Sequence, residues 1–201
     1  LAIALRLVEH QLVLPLLLVS IIVLPLTLSL FLRDREGIVL KWSWTVGGIL
    51  YVGWFLGILV ALHEQAGREW VFLALFCTFG SDTFAYFIGR AFGRHKLAPR
   101  ISPGKTWEGT FGGLAGAVLV AWLFTLDHGL QVFISVWQAV LLGFLVSVFG
   151  QIGDLAESLL KRTFGVKDSG SLVPGHGGVL DRIDSIVFAG VVVYLFYLIA
   201  G

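Results

Sequence analysis

The sequence predicts an all-α fold: a polytopic bundle of about six membrane-spanning helices with a polar site at its cytosolic rim. Three observations carry this expectation. The chain is 57% hydrophobic and only 13% charged, with a mean hydropathy of +0.91, more apolar than a water-facing surface tolerates. Its apolar residues gather into runs near the roughly 20-residue length of a bilayer-crossing helix. Its charges gather between those runs. The single cysteine, Cys77, excludes a disulfide framework and a cysteine-based zinc site.

The apolar runs cover residues 12–32, 43–62, 70–89, 109–126, 132–150 and 185–200. Pro15 and Pro25 predict a bend in the first, because proline removes a helix donor. The last run is short and is expected to start earlier, near Val179. If the connections 33–41, 90–108 and 151–184 share one side, twelve of the 14 Lys and Arg residues lie there. Only Arg6 and Arg68 fall opposite. The positive-inside rule then makes the three basic connections cytosolic. Gly53-x-x-x-Gly57, Gly109-x-x-x-Gly113 and Gly112-x-x-x-Gly116 predict close helix approach. The chain has no methionine, which predicts a piece of a longer protein whose start lies upstream. No cleavable signal peptide is expected, since the run from Leu12 is too long and lacks a basic flank.

Five polar strings stand out against this apolar background. In the first, Asp154, Glu157, Ser158 and Lys161 follow i, i+3, i+4, i+7 spacing and share a helical face. The same pattern also suits a solvated helix end carrying an intrahelical acid–lysine pair. The second, residues 167–178, is too rich in glycine for a regular helix; such backbone can turn its N–H groups onto phosphate oxygens. Lys167 and His176 would add donors. The third places Asp181, Asp184 and Ser185 at the head of the final helix, where one acid suits capping and the rest suit a hard cation such as Mg²⁺. The fourth is Asp82 inside an apolar helix, which costs about 2.5–3.5 kcal/mol near the membrane centre and marks a functional position. The fifth is Ser102-Pro-Gly-Lys105-Thr-Trp-Glu108. Gly104-Lys105-Thr106 imitates a P-loop, but Pro99 stands where that motif needs glycine and no preceding strand is expected. Arg90, Arg94, Lys96, Arg100 and Lys105 make this a basic connection suited to anionic headgroups. His63-Glu64 lacks the second histidine of a zinc helix, and His10, His95 and His128 have no evident ligating partners.

Taken together, these strings resemble the phosphatidate cytidylyltransferases, or CDP-diacylglycerol synthases. The resemblance rests on Ser158-x-x-Lys161-Arg162, then Lys167-Asp168-x-Gly170, then Pro174-Gly175-His176-Gly177-Gly178-x-x-Asp181-Arg182-x-Asp184. Asp82 through Arg90, Ile101 through Gly109, and Gly153-Asp154-Leu-x-Glu157-Ser158 add to it. It covers residues 78–185; residues 1–70 match only as hydrophobic helices. The resemblance implies N-terminal membrane helices over 1–70 and a catalytic membrane domain over 71–201. It implies that CTP and phosphatidate give CDP-diacylglycerol and pyrophosphate with Mg²⁺, a second ion being left open. It implies metal binding by Asp154 and Asp181, with Asp184 or Asp168 in support. Lys161, Arg162, Lys167 and Arg182 would bind phosphates. Gly175, His176, Gly177 and Gly178 would approach the triphosphate, and Asp82 and Lys105 would complete the site. The expected setting is the bacterial inner membrane with the site facing the cytosol. No nucleic-acid partner is implied, and a homodimer stays open. Two other readings remain: a CTP-dependent polyprenol- or phytol-type lipid kinase, and a transporter built around Asp82 and the glycine-broken helices.

Overall fold

The computed structural model describes residues 13–31, 36–126, 130–163, 165–166 and 180–200, with side chains except at 13–15, 54, 55 and 180–183. Six helices are present among these residues: α1 (Val13–Ser29), α2 (Ile38–Ala66), α3 (Arg68–Phe92), α4 (Trp107–Leu123), α5 (Val136–Thr163) and α6 (Leu180–Ala200). Of these, α2, α3 and α5 are long and apolar enough to cross a membrane, so the chain is a helical membrane protein. The described parts of α1, α4 and α6 are shorter apolar helices. Large apolar side chains face outward along the bundle, as at Phe87 and Phe111 (63% exposed each). In lipid such exposure costs nothing, because the surroundings are as apolar as the side chain.

Two compact units divide the chain, residues 1–54 and 55–201. In the first, α1 continues through Pro25, and the Trp42 indole N–H donates to the Ile22 carbonyl at 2.9 Å. The second holds the hydrophobic core, where Leu73, Ala74 and Cys77 of α3 meet Ala117, Leu142 and Val193.

The α3–α4 interface is built on absent side chains. A Cβ on Gly116 would lie 2.7 Å from the Gly80 carbonyl oxygen, and one on Gly109 would lie 2.8 Å from that of Ala85. Gly113 makes a similar approach to Ser81, and Gly143 of α5 approaches Ala117 of α4 in the same way. Two of the three GxxxG strings therefore act as expected. The third shows no such approach: among the described residues, a Cβ at Gly53 or Gly57 meets nothing within 4 Å. Replacing Gly116 by Val drives a branched side chain into backbone that cannot rotate away. The Gly116→Val variant is expected to lose about 1–3 kcal/mol, read as a lower melting midpoint in detergent, whereas Gly53→Val leaves the midpoint in place.

The basic connection after α3 differs from the expected loop. It folds into an antiparallel hairpin of β1 (Lys96–Ala98) and β2 (Ser102–Thr106), pairing Lys96 with Thr106 and Ala98 with Ser102. So a strand does precede Gly104-Lys105-Thr106, although Pro99 still excludes a P-loop. Strands of three and five residues are too short to show an alternating pattern, and the turn between them closes through Ile101 N–H donating to the Ala98 carbonyl at 3.1 Å. Thr106 ends the hairpin and caps α4, its hydroxyl accepting from the Gly109 N–H at 3.1 Å. A capping box opens α5: Ser135 N–H donates to Gln138 Oε1 at 2.8 Å, and Gln138 N–H returns to Ser135 Oγ at 3.3 Å. From there α5 runs past Gly150 as one helix to Thr163, carrying the Asp154–Lys161 string on its polar end.

Candidate active site

A cavity of about 670 Å³ opens within the second unit. Asp82, Tyr86 and Arg90 line it from α3, Lys96, Ser102 and Lys105 from the hairpin, Thr110 from α4, and Gln151 and Asp154 from α5. Glycines let these walls approach. A Cβ on Gly89 would lie 3.0 Å from the Thr106 hydroxyl, and one on Gly93 would lie 2.8 Å from the same hydroxyl.

The hairpin is pinned at both ends. At its base the Glu108 carboxylate accepts from the His95 backbone N–H at 3.3 Å and contacts His95 Nδ1 at 2.7 Å, while the Trp107 N–H donates to the His95 carbonyl at 2.9 Å. Glu108 stands just ahead of the apolar run that begins at Gly109. Its own backbone N–H and then the His95 ring lower its pKa to about 2, so it stays ionised. At the far end, the Arg162 Nε–H donates to the Ile101 carbonyl at 3.4 Å. The ordered Ser102–Glu108 string thus encodes a strand, a helix cap and a clamp, which holds Lys105 over the cavity.

Lys105 Nζ lies 2.7 Å from Asp154 Oδ2, joining the hairpin to α5 across the cavity. Asp154 Oδ1 also accepts from the Ser158 hydroxyl at 3.4 Å. Lys105, Asp82 and Asp154 therefore line one cavity. Asp82 makes no hydrogen bond or ion pair among the described residues, which leaves its carboxylate open to a ligand. Lys161 instead lies 2.5 Å from Glu157, a carboxylate only 1% exposed, so the shared helical face turns Glu157 inward. Arg162 reaches the hairpin turn rather than the cavity lining. Asp184 Oδ1 accepts from the Ser185 N–H at 2.7 Å and does not line the cavity.

Lys167, Asp168, Gly175, His176, Gly177 and Gly178 lie outside the described residues. Asp181 and Arg182 sit in the first turn of α6, with their side chains outside the description. Among the described residues, no three His, Cys, Asp or Glu side chains gather to hold a metal. Asp82 and Asp154 on one cavity do match what Mg²⁺ takes from protein, one or two carboxylates with phosphates and water supplying the remainder.

Tyr86, Thr110 and Gln151 were not named as site residues from the sequence; Lys96 stood there as a basic-loop charge, and Arg90 as that and as the end of the Asp82–Arg90 string. Tyr86 and Arg90 carry the clearest overlooked signal, their i, i+4 spacing. Arg90 Nη1 donates to the Tyr86 hydroxyl at 2.8 Å, which fixes the guanidinium at the cavity wall.

A cavity lined by both cations and carboxylates, at the polar end of apolar helices, suits a phosphate-bearing ligand, and comparison with known proteins agrees in kind. The model of the cytidylyltransferase family matches residues 2–200. The chain belongs to this family. A relative from Brucella abortus (strain 2308), named phosphatidate cytidylyltransferase, is 45% identical over 160 residues, covering 77% of this chain and 57% of the relative. The protein of that name from Bacillus subtilis (strain 168) is 42% identical over 153 residues, covering 75% and 55%. The one from Staphylococcus epidermidis (strain ATCC 12228 / FDA PCI 1200) is 43% identical over 141 residues, covering 70% and 53%. The chain spans about half the length of the curated relatives it matches.

Proposed function

We propose that this chain carries the catalytic machinery of a phosphatidate cytidylyltransferase, making CDP-diacylglycerol and pyrophosphate from CTP and phosphatidate. The observation that carries this reading is the single cavity in which Arg90, Lys96 and Lys105 face Asp82 and Asp154. Cations alone would suit a headgroup, and carboxylates alone a bare metal ion; the mixture suits phosphates together with a divalent ion.

In the proposed reaction a phosphate oxygen of phosphatidate attacks the α-phosphorus of CTP. A new P–O–P bond forms, the bond from the α-phosphorus to the bridging oxygen breaks, and pyrophosphate leaves with that electron pair. The nucleophile is already anionic, so the chain need not supply a strong base. Its task is to hold two mutually repelling polyanions in line. Lys105, on a hairpin clamped at both ends, neutralises phosphate charge from one wall. Arg90, held by Tyr86, does so from another. Asp154 with Asp181, supported by Asp184 or Asp168, would hold Mg²⁺, and Asp82 lines the same cavity as Asp154. Bound there, Mg²⁺ supplies charge neutralisation and polarises the α-phosphoryl group. Lys167, Arg182 and the glycines at 175, 177 and 178 complete the phosphate contacts, with His176 as a further donor.

The same reading takes six crossings, with the cavity open to the cytosol from a bacterial inner membrane. It is supported by the basic residues around the hairpin and the end of α5, charges that the positive-inside rule keeps cytosolic.

The test is product analysis. Membranes containing the full chain, given CTP, phosphatidate and Mg²⁺, are expected to release pyrophosphate in step with a cytidylylated lipid. Release of CDP with transfer of the γ-phosphate to a lipid alcohol would establish a kinase instead. CTP left unconsumed would overturn both.

A further inference from the structure

We propose that Gln151 selects the nucleobase, its side-chain oxygen accepting a hydrogen bond from the exocyclic amine of cytosine. This rests on the CTP-dependent reading above and adds a residue to it.

Gln151 lines the cavity one helical turn before Asp154. Its Nε2 donates to Ser147 Oγ at 3.0 Å and to the Thr110 backbone carbonyl at 3.4 Å. A backbone carbonyl can only accept, so the amide cannot be turned over without setting two oxygens against each other. Ser147 is fixed in turn. The residue is 1% exposed, and its hydroxyl lies 2.8 Å from that of Ser81, a residue 4% exposed. Both N–H groups of the amide are therefore committed. Its oxygen has no partner among the described residues, on a side chain that lines the cavity.

Such an oxygen does not suit phosphate. Two acceptors repel, and the cavity already offers Arg90, Lys96 and Lys105 for phosphate oxygens. It suits a neutral donor on the ligand. Cytosine carries an amine where uracil carries a carbonyl, and the two bases are otherwise alike in size and shape. A freely rotating amide would serve either base. One locked by Ser147 and Thr110 pairs with cytosine and opposes uracil, and this gives the buried Ser81–Ser147–Gln151 chain a purpose beyond packing. Sites that hydrogen-bond a substrate group reject the analogue lacking it because a buried partner is then left unpaired.

The experiment compares kcat/KM for CTP, UTP and dCTP in full-chain membranes. Wild-type protein should prefer CTP over UTP. In Gln151→Leu the CTP:UTP ratio should fall by at least about tenfold, a change of about 1.4 kcal/mol in discrimination, while the CTP:dCTP ratio stays in place. Ser147→Ala keeps the amide but releases one of its two restraints, and its CTP:UTP ratio should fall by less. If Gln151→Leu is too poorly folded to assay, the Ser147→Ala ratio decides. An unchanged CTP:UTP ratio overturns the assignment, as does a change confined to CTP:dCTP, which would place the contact at the ribose. A wild-type chain that turns over no nucleotide refutes the functional reading itself, a different failure from an active enzyme whose base preference ignores Gln151.

Discussion

Asp154→Asn is expected to lower CTP-dependent pyrophosphate release by about 10²–10³-fold, the scale on which removing one preorganised electrostatic contact acts in an enclosed site. The cavity has Asp82 and Asp154 as its carboxylates among the described lining residues, and Asp154 is the one tied to the hairpin through Lys105 at 2.7 Å. Asparagine keeps the size and still accepts the Ser158 hydroxyl, so the change is chiefly one of charge. Raised Mg²⁺ should restore part of the lost rate, because a weakened metal site is filled by mass action. The melting midpoint should barely move. Lys105 and Asp154 are 21% and 33% exposed, and partly hydrated pairs contribute about 0–1 kcal/mol. If stability fell in proportion to activity, Lys105–Asp154 would be a structural tie and the metal assignment would lose its support.

Lys161→Met is expected to act on stability instead. It removes the cation 2.5 Å from Glu157, a carboxylate 1% exposed. Removing one partner of a buried pair costs up to about 3–5 kcal/mol, to the extent that the remaining charge goes uncompensated. A drop on the order of 10 °C in the detergent melting midpoint follows for a chain of this size. Adding Glu157→Gln to Lys161→Met should recover part of that loss, since the double variant removes both charges of this pair. A single variant that melts like wild type but no longer responds to CTP concentration would return Lys161 to phosphate binding, the role its place in the signature implies.

These two lysines show how far the sequence could be read. The spacing of Asp154, Glu157, Ser158 and Lys161 correctly predicted a helix, and a helix fixes which side chains are neighbours along one element. It does not fix what that element packs against. In the fold Asp154 reaches out to Lys105 on the hairpin, while Glu157 turns into the bundle and takes Lys161 with it. The hairpin was hidden for a related reason. Short strands carry almost no periodic signal, and this one is held by a side-chain clamp between His95 and Glu108 that only the folded chain brings together. Gln151 was passed over because one amide at the end of an apolar run looks like any helix-packing polar residue until Ser147 and Thr110 are seen to hold its donors.

The sequence by itself determined the class of protein, the helical segments, the family and the glycine seam between α3 and α4. Each is written in local terms: apolar length, spacing along a helix, an uninterrupted motif, a missing side chain. Only the tertiary structure decided which charges share the cavity and which are spent within the bundle. That choice depends on how closely neighbouring helices approach and how each is rotated about its axis. At the α3–α4 seam the approach is set by backbone meeting backbone, as where Gly116 passes the Gly80 carbonyl at a distance no side chain would permit.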